Sequence, residues 1–498
     1  MLKNELNCCY KCRKIKFSRF FTTNHVNSEI LSDLFGLSSL ESKLFIEKNK
    51  LQNREAQLLM NCTKYCRKLG YTDNEILATP TLLRLHPLEL EQHHLSLEEG
   101  GFQSIGPKIL ARARNYMRKV ISILKSKNII HEKTNVPQHF LNYIEDVNIA
   151  NKISVIRFSD ANVWNEVHKS ILQSFLRMRL NATEDEIIRL FRIHKTIKNK
   201  SFRVVQENIA IAEDLGFDQR KLIKHGYLLH NYPKYPKTVL KDFPNLAGSD
   251  MRKAMWMYPK LVMASPTNII KIYGTLKEFD IEDAVIRKQM NVFHLSPTTV
   301  KLRLEEIEQS PDFRVLLKHP KLLSLIVHHN RAKSRLSFLQ QLQLRCASFT
   351  VLGYDDDEIF NDYIREGKDI NKFLDVLIFL KKLFNVNEEY IKKKLKIHPF
   401  YLQVPLKDMQ NTYDFLISQH FRCSDILKVM QIILYPQEKI EKKLNEMQSN
   451  KEINFESVTP AKKLNLLLYF IERDHHFTGN GIWMKYNEVT DMSEKSNQ

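Results

Sequence analysis

Basic side chains recur in this sequence at a fixed interval. Lys241, Lys271, Lys301 and Arg331 are spaced by 30 residues, Arg303, Lys333 and Arg335 stand beside the last two, and Arg112, Arg114, Arg118 and Lys119 form a second cluster. Cations repeated at one structural register can grip the regularly spaced phosphates of a nucleic acid and fix its position, without themselves reading its bases. The same spacing also suits a solvated helix face in a basic protein.

Other groups of reactive residues lack the partners that their chemistry needs. Cys9 and Cys12 form a CxxC, but no second pair follows to complete a four-ligand zinc site, and Cys62 and Cys66 read as half-buried thiols on one helix. His93-His94, His328-His329 and His475-His476 are adjacent pairs, and neighbouring helical positions diverge by about 100°, which chelates one metal poorly. Asp355, Asp356, Asp357 and Glu358 open a helical pattern, where carboxylates suit the positive helix end, and the further ligands of a calcium loop are absent. The stretch Gly101 to Lys108 imitates a phosphate-binding loop, but Pro107 occupies the lysine position and removes a backbone donor. Gly479-Asn480-Gly481 reads as a turn. No Ser-His-Asp, Cys-His or paired-carboxylate arrangement stands out, so the expectation is a protein that is not an enzyme and uses no cofactor or metal.

The elements that carry the basic residues must be helical. Thirteen glycines in 498 residues are too few for a turn-rich β architecture, and helix-period apolar patterns dominate from about 55 to 471. Lys and Arg total 76 against 57 Asp and Glu, so the formal charge is 76 − 57 = +19. No apolar stretch is long enough to span a bilayer, and seven scattered cysteines favour a reducing compartment. Residues 1–28 hold Lys3, Lys11, Arg13, Lys14, Lys16 and Arg19 against the single acid Glu5, with Phe17, Phe20 and Phe21 between them. A basic, acid-poor and hydroxyl-bearing leader of this kind predicts import into mitochondria.

Prolines serve as rulers, because proline is tolerated in the first turn of a helix. Apolar residues follow at steps of three and four: Leu90 and Leu97 after Pro87, Phe140, Ile144 and Val147 after Pro137, and Val300, Leu304 and Ile307 after Pro297. Pro266 leads Ile269, Tyr273 and Leu276, while Pro405 and Pro436 lead Met409 and Ile440 with a one-residue slip. The separations Pro236–Pro266, Pro266–Pro297 and Pro405–Pro436 are 30, 31 and 31. Half-motifs such as Pro259-Lys260-Leu261-Val262 and Pro320-Lys321-Leu322-Leu323 recur, as do Gly-aromatic stops at Leu69-Gly70-Tyr71, Gly101-Phe102, Leu215-Gly216-Phe217 and Leu352-Gly353-Tyr354. A period near 31 predicts an all-α chain of tandem helical repeats that stack into a curved solenoid.

This combination over roughly residues 60 to 450 resembles the mitochondrial transcription termination factor (mTERF) family. The resemblance implies units of two α-helices plus a short 3₁₀-like helix, with a basic path that holds double-stranded organellar DNA or, in some members, ribosomal RNA. Departures are Pro244, which would cut a helix short, His328 in place of a ruler proline, and the proline-free stretch from 150 to 210. The expected organisation is a transit peptide over 1–28, a linker or first helix over 29–59, repeats over 60–450, a capping helix region over 451–486 and a polar tail over 487–498. The expected role is binding of double-stranded mitochondrial DNA in the matrix nucleoid to regulate transcription, by termination or by modulating initiation or elongation. The ten candidate contacts are Lys241, Lys271, Lys301, Arg303, Arg331, Lys333, Arg335, Arg112, Arg114 and Arg118. The chain is expected to act as a monomer off the membrane, with other mitochondrial transcription factors as protein partners. The alternatives are a ribosomal-RNA-binding factor for ribosome biogenesis and a helical-repeat scaffold for proteins.

Overall fold

A computed structural model describes residues 22–354, 356–395, 398, 400–449 and 458–474. The leader's first 21 residues with their cysteines, Asp355, His475-His476, Gly479–Gly481 and the polar tail lie outside the described residues. Helices predominate among the described residues, joined by turns and loops and accompanied by a two-stranded hairpin pairing Asn245–Leu246 with Ser249–Asp250. Among the described residues, no helix is long and apolar enough to cross a membrane. The chain divides into two compact units, one of Met1–Asp242 with Met255–Met263 and one of Phe243–Ala254 with Ala264–Gln498.

In the second unit a pattern of long helix, short helix and 3₁₀ turn recurs. Pro266–Glu278, Asp283–Lys288 and Met290–His294 make one instance, and Leu406–Ser418, Cys423–Lys428 and Met430–Leu434 another. Ser265 and Ser296 stand just before the ruler prolines and accept the N–H of Asn268 (3.2 Å) and Thr299 (3.0 Å), so each Ser-Pro pair both caps and starts its helix. The stripes that follow point inward: Val300, Leu304 and Ile307 are buried, as are Met409 and Leu416, and Ile440, Leu444 and Met447. Burying each such side chain is worth roughly 1.5–3 kcal/mol, more than the capping bonds supply.

The helix stops need a left-handed residue, and Gly70, Gly101 and Gly216 take it with φ between +83° and +86°. Gly353 does not. It is glycine because a Cβ there would lie 2.7 Å from the Phe349 ring. In other units Asp280, Gln343, Asn385 and His420 adopt the positive φ instead, which is why no glycine marks those stops.

Two departures mark the first unit. The stripe expected after Pro137 does not lie on one helix. Val136–Leu141 ends early, Asp146 caps a new helix through the N–H groups of Asn148 and Ile149, and Val147 is 66% exposed. Asn27 and Ser28, which the leader would include, are buried, and Asn27 Nδ2 donates to Arg54 O at 2.9 Å. The proline-free stretch still forms Trp164–Arg179 and Glu184–Ile193, the latter opened by a Thr183/Glu186 capping box. Pro244 follows a helix that ends at Asp242, as its ring geometry requires.

Candidate nucleic-acid interface

All four residues of the 30-residue ladder are exposed. Lys271, Lys301 and Arg331 sit on the long helices Pro266–Glu278, Pro297–Gln309 and His329–Gln341 of the second unit, and Lys241 sits on Lys234–Asp242 of the first. Lys301 lies 4.0 Å from Glu305, a loose surface pair that constrains it little. Lys241 and Lys271 carry no ion pair among the described residues. Their ammonium groups therefore stay hydrated and available to an anion.

The residues beside the ladder are turned to other work. Half-buried Arg303 donates Nη1 to Ile326 O at 2.6 Å and Val327 O at 3.1 Å. Arg335 is 4% exposed and feeds Tyr354 O (2.7 Å), Asp356 O (2.7 Å) and Asp357 Oδ1 (2.6 Å). The hydrogen bond from Arg335 holds the Asp357 carboxyl below its ordinary range, and the Arg331 charge adds to it. Lys333 is exposed but lies 3.0 Å from Glu306, tying its helix to the preceding long helix. Arg303 and Arg335 thus tie their long helices to the segments that follow, Arg335 from a buried position and Arg303 through Nη1 alone.

Similar bonds recur. Asn208 Nδ2 donates to Asn231 O (2.9 Å), Asn371 Nδ2 to Leu402 O (3.2 Å) and Thr412 Oγ1 to Tyr435 O (3.0 Å). Asn208 and Thr412 lie on long helices and Asn371 in the loop just before one, and each buried side chain satisfies a carbonyl 23 to 31 residues later, where the chain leaves its short helices for the next long one. Asn, Thr and Arg all do this, so no single letter repeats in the sequence to reveal it.

In the first unit Arg112, Arg114 and Arg118 are exposed on the short helices around Ala113–Met117, and Arg114 pairs with Glu89. Two residues there escaped the sequence reading. Trp256 is 50% exposed with the Lys221 ammonium 4.6 Å from its ring centroid, a cation over an aromatic face of the kind that meets stacked bases. Lys200, almost buried, lies 4.3 Å over Tyr232, and desolvation pushes its ammonium down to about 8. A solitary tryptophan among Arg252, Lys253 and Lys260 was the only signal for the first.

Cys62, Cys66 and His93 sit in the core as packing residues. Burial pushes Cys62 up to about 11 and Cys66 up to about 12, leaving unreactive thiols, and desolvation drives His93 down to about 4. Among the described residues no three His, Cys, Asp or Glu side chains converge as metal ligands.

Comparison with known proteins follows the same line. No family model matches the chain, and no solved structure does. Over 468 residues the chain is 27% identical to Transcription termination factor 5, mitochondrial, of Drosophila melanogaster, covering 92% of this chain and 83% of that protein. Along nearly its whole length, the chain is thus similar to a mitochondrial transcription termination factor.

Proposed function

We propose that this protein binds double-stranded mitochondrial DNA along a path of repeated cations and regulates its transcription as a bound obstacle to the polymerase. The protein is mitochondrial, as its basic leader and the designation of its relative agree. The observation that carries the binding reading is the exposure of Lys241, Lys271, Lys301 and Arg331 at one interval, in a chain of net charge +19. Phosphates gripped by successive long helices supply affinity and register, and a partly exposed aromatic such as Trp256 supplies contact with bases. The repeated order of long helix, short helix and 3₁₀ turn supports a solenoid whose units stack on their neighbours. The role is non-enzymatic, in the matrix nucleoid, with the chain acting as a monomer beside other transcription factors.

Crosslinking in isolated mitochondria, followed by identification of the bound nucleic acid, tests this. Recovery of discrete genomic sites is the expected result. Recovery of ribosomal RNA alone would transfer the same cations to a role in ribosome assembly, and recovery of no nucleic acid would leave a protein scaffold.

A further inference from the structure

The second unit contains a cavity of about 330 Å³ between the loop that follows Pro311–Arg314 and the helices Phe373–Phe384 and Leu406–Ser418. Its walls are apolar, with Ile378 and the buried ring of Phe379 on one side. Two buried polar groups line it. Asp375 has a side chain 2% exposed, and His319 has one 7% exposed. Arg314, Lys318 and Lys382 are exposed lining residues, which places them at the mouth, with Asp414 as the exposed acid there.

The hydrogen bonds of the two buried groups define what they offer. His319 Nδ1 accepts the N–H of Lys321 at 3.1 Å, so the ring proton sits on Nε2, and stacking on Phe349 at 3.9 Å holds the ring in place. Asp375 Oδ2 accepts the N–H of Thr350 at 2.9 Å, while Oδ1 faces His319 Nε2 at 4.0 Å, beyond a direct hydrogen bond. Neither Nε2 nor Oδ1 has a hydrogen-bond partner among the described residues. The interior thus presents one donor and one acceptor side by side against an apolar wall. Desolvation keeps His319 neutral by driving it down to about 4.

We infer that this cavity binds a nucleoside phosphate, the heterocycle inside and the phosphate at the mouth. A nucleobase carries a donor and an acceptor on adjacent atoms, so its edge can donate to Asp375 Oδ1 and accept from His319 Nε2–H. Its flat face matches Phe379. Arg314 and Lys318, which make no ion pair among the described residues, and Lys382, 3.5 Å from Glu282, meet the phosphate. The volume falls within the range of roughly 300–1,000 Å³ typical of small-molecule sites. This site does not depend on the cation ladder.

Titration calorimetry on the purified full chain with the four nucleoside 5′-monophosphates, their nucleosides and inorganic phosphate tests the inference. At least one monophosphate should bind with a Kd below about 1 mM, and its nucleoside should bind about tenfold more weakly. Asp375→Asn should weaken binding by about tenfold or more, since it replaces the charged acceptor. Because Asp375 also caps Thr350, the exposed pair Arg314→Gln and Lys318→Gln provides a second variant that leaves the fold alone. It should erase the preference for monophosphate over nucleoside. Competition by a short single-stranded oligonucleotide would place the nucleotide on a bound strand, and lack of competition would place it in the free pool; both keep the site. No saturable binding by any monophosphate, binding of inorganic phosphate as tight as the best nucleotide, or wild-type binding by both variants would overturn it.

Discussion

Arg335 and Asp357 meet with Nη2 2.6 Å from Oδ1, although the arginine side chain is 4% exposed and the aspartate 66% exposed. The arginine reaches outward from the core, and most of its donors end on backbone carbonyls of the next segment. Truncating Arg335 to Ala should therefore cost about 3–5 kcal/mol, because it strands buried acceptors. Asp357→Asn should cost less, since its carboxylate is open to water. The Asp357 value is lowered from 3.8, so its share of stability is present above that pH and is lost as pH falls through the lowered range. Hydrogen exchange over 349–366 reads both effects. Unchanged protection in Arg335→Ala, together with weaker nucleic-acid binding, would return Arg335 to the interface.

Glu99 joins parts of the first unit that are far apart in sequence. Fully buried, it accepts the N–H of Phe202 at 2.7 Å and of Arg203 at 3.1 Å, and so caps the helix Phe202–Asp214 from 103 residues upstream. Burial pushes its carboxyl up to about 7, against the pull of these N–H groups and the Arg203 charge. An acid raised from 4.5 to about 7 binds its proton more tightly folded than unfolded. The stability tied to that proton is whole below pH 4.5 and declines as pH rises towards 7. Glu99→Gln keeps one acceptor, removes this pH dependence, and should cost about 1.5–3 kcal/mol where the wild-type group is charged. Urea unfolding of both proteins at pH 5 and pH 8 gives the comparison, and parallel pH profiles would refute the assignment.

What was legible in the sequence was what repeats in one letter. Ser265-Pro266 and Ser296-Pro297 mark helix starts because only proline has a fixed φ and no N–H, and the buried Val300, Leu304 and Ile307 followed from spacing alone. Stops at Asp280 and His420 were hidden because several residue types tolerate a single left-handed position. The region around Pro137 was misread because a short polar segment with Asp146 outweighs a sparse apolar stripe. The candidate contacts differ in their surroundings. A periodic cation reads alike whether it faces solvent, as Lys271 does, or bends inward to carbonyls, as Arg303 does. Only the neighbouring chain decides which.

Deleting Pro266 to Ser296, one whole interval between ruler prolines, tests whether contacts are local. Stacked units lose little beyond the excised piece, so helical circular dichroism should fall roughly in proportion to length. Collapse of the remaining signal would mean a single cooperative core in that unit.

The ladder is separable from bulk charge. Changing Lys241, Lys271, Lys301 and Arg331 together to Gln removes four exposed cations and should alter stability by no more than about 0.5 kcal/mol per site. Four phosphate contacts give a slope of log K against log[salt] of about −3.6, or roughly a hundredfold loss between about 50 and 200 mM salt. The quadruple variant should bind duplex DNA more weakly and with a visibly shallower slope. Lys381, Lys393, Lys442 and Lys462, exposed and outside the 30-residue register, provide a control of equal charge. Gel-shift titrations across salt compare the two. Loss of affinity and slope in the ladder variant alone places those four side chains on the phosphate path, whereas equal losses in both would reduce the ladder to its contribution to net charge.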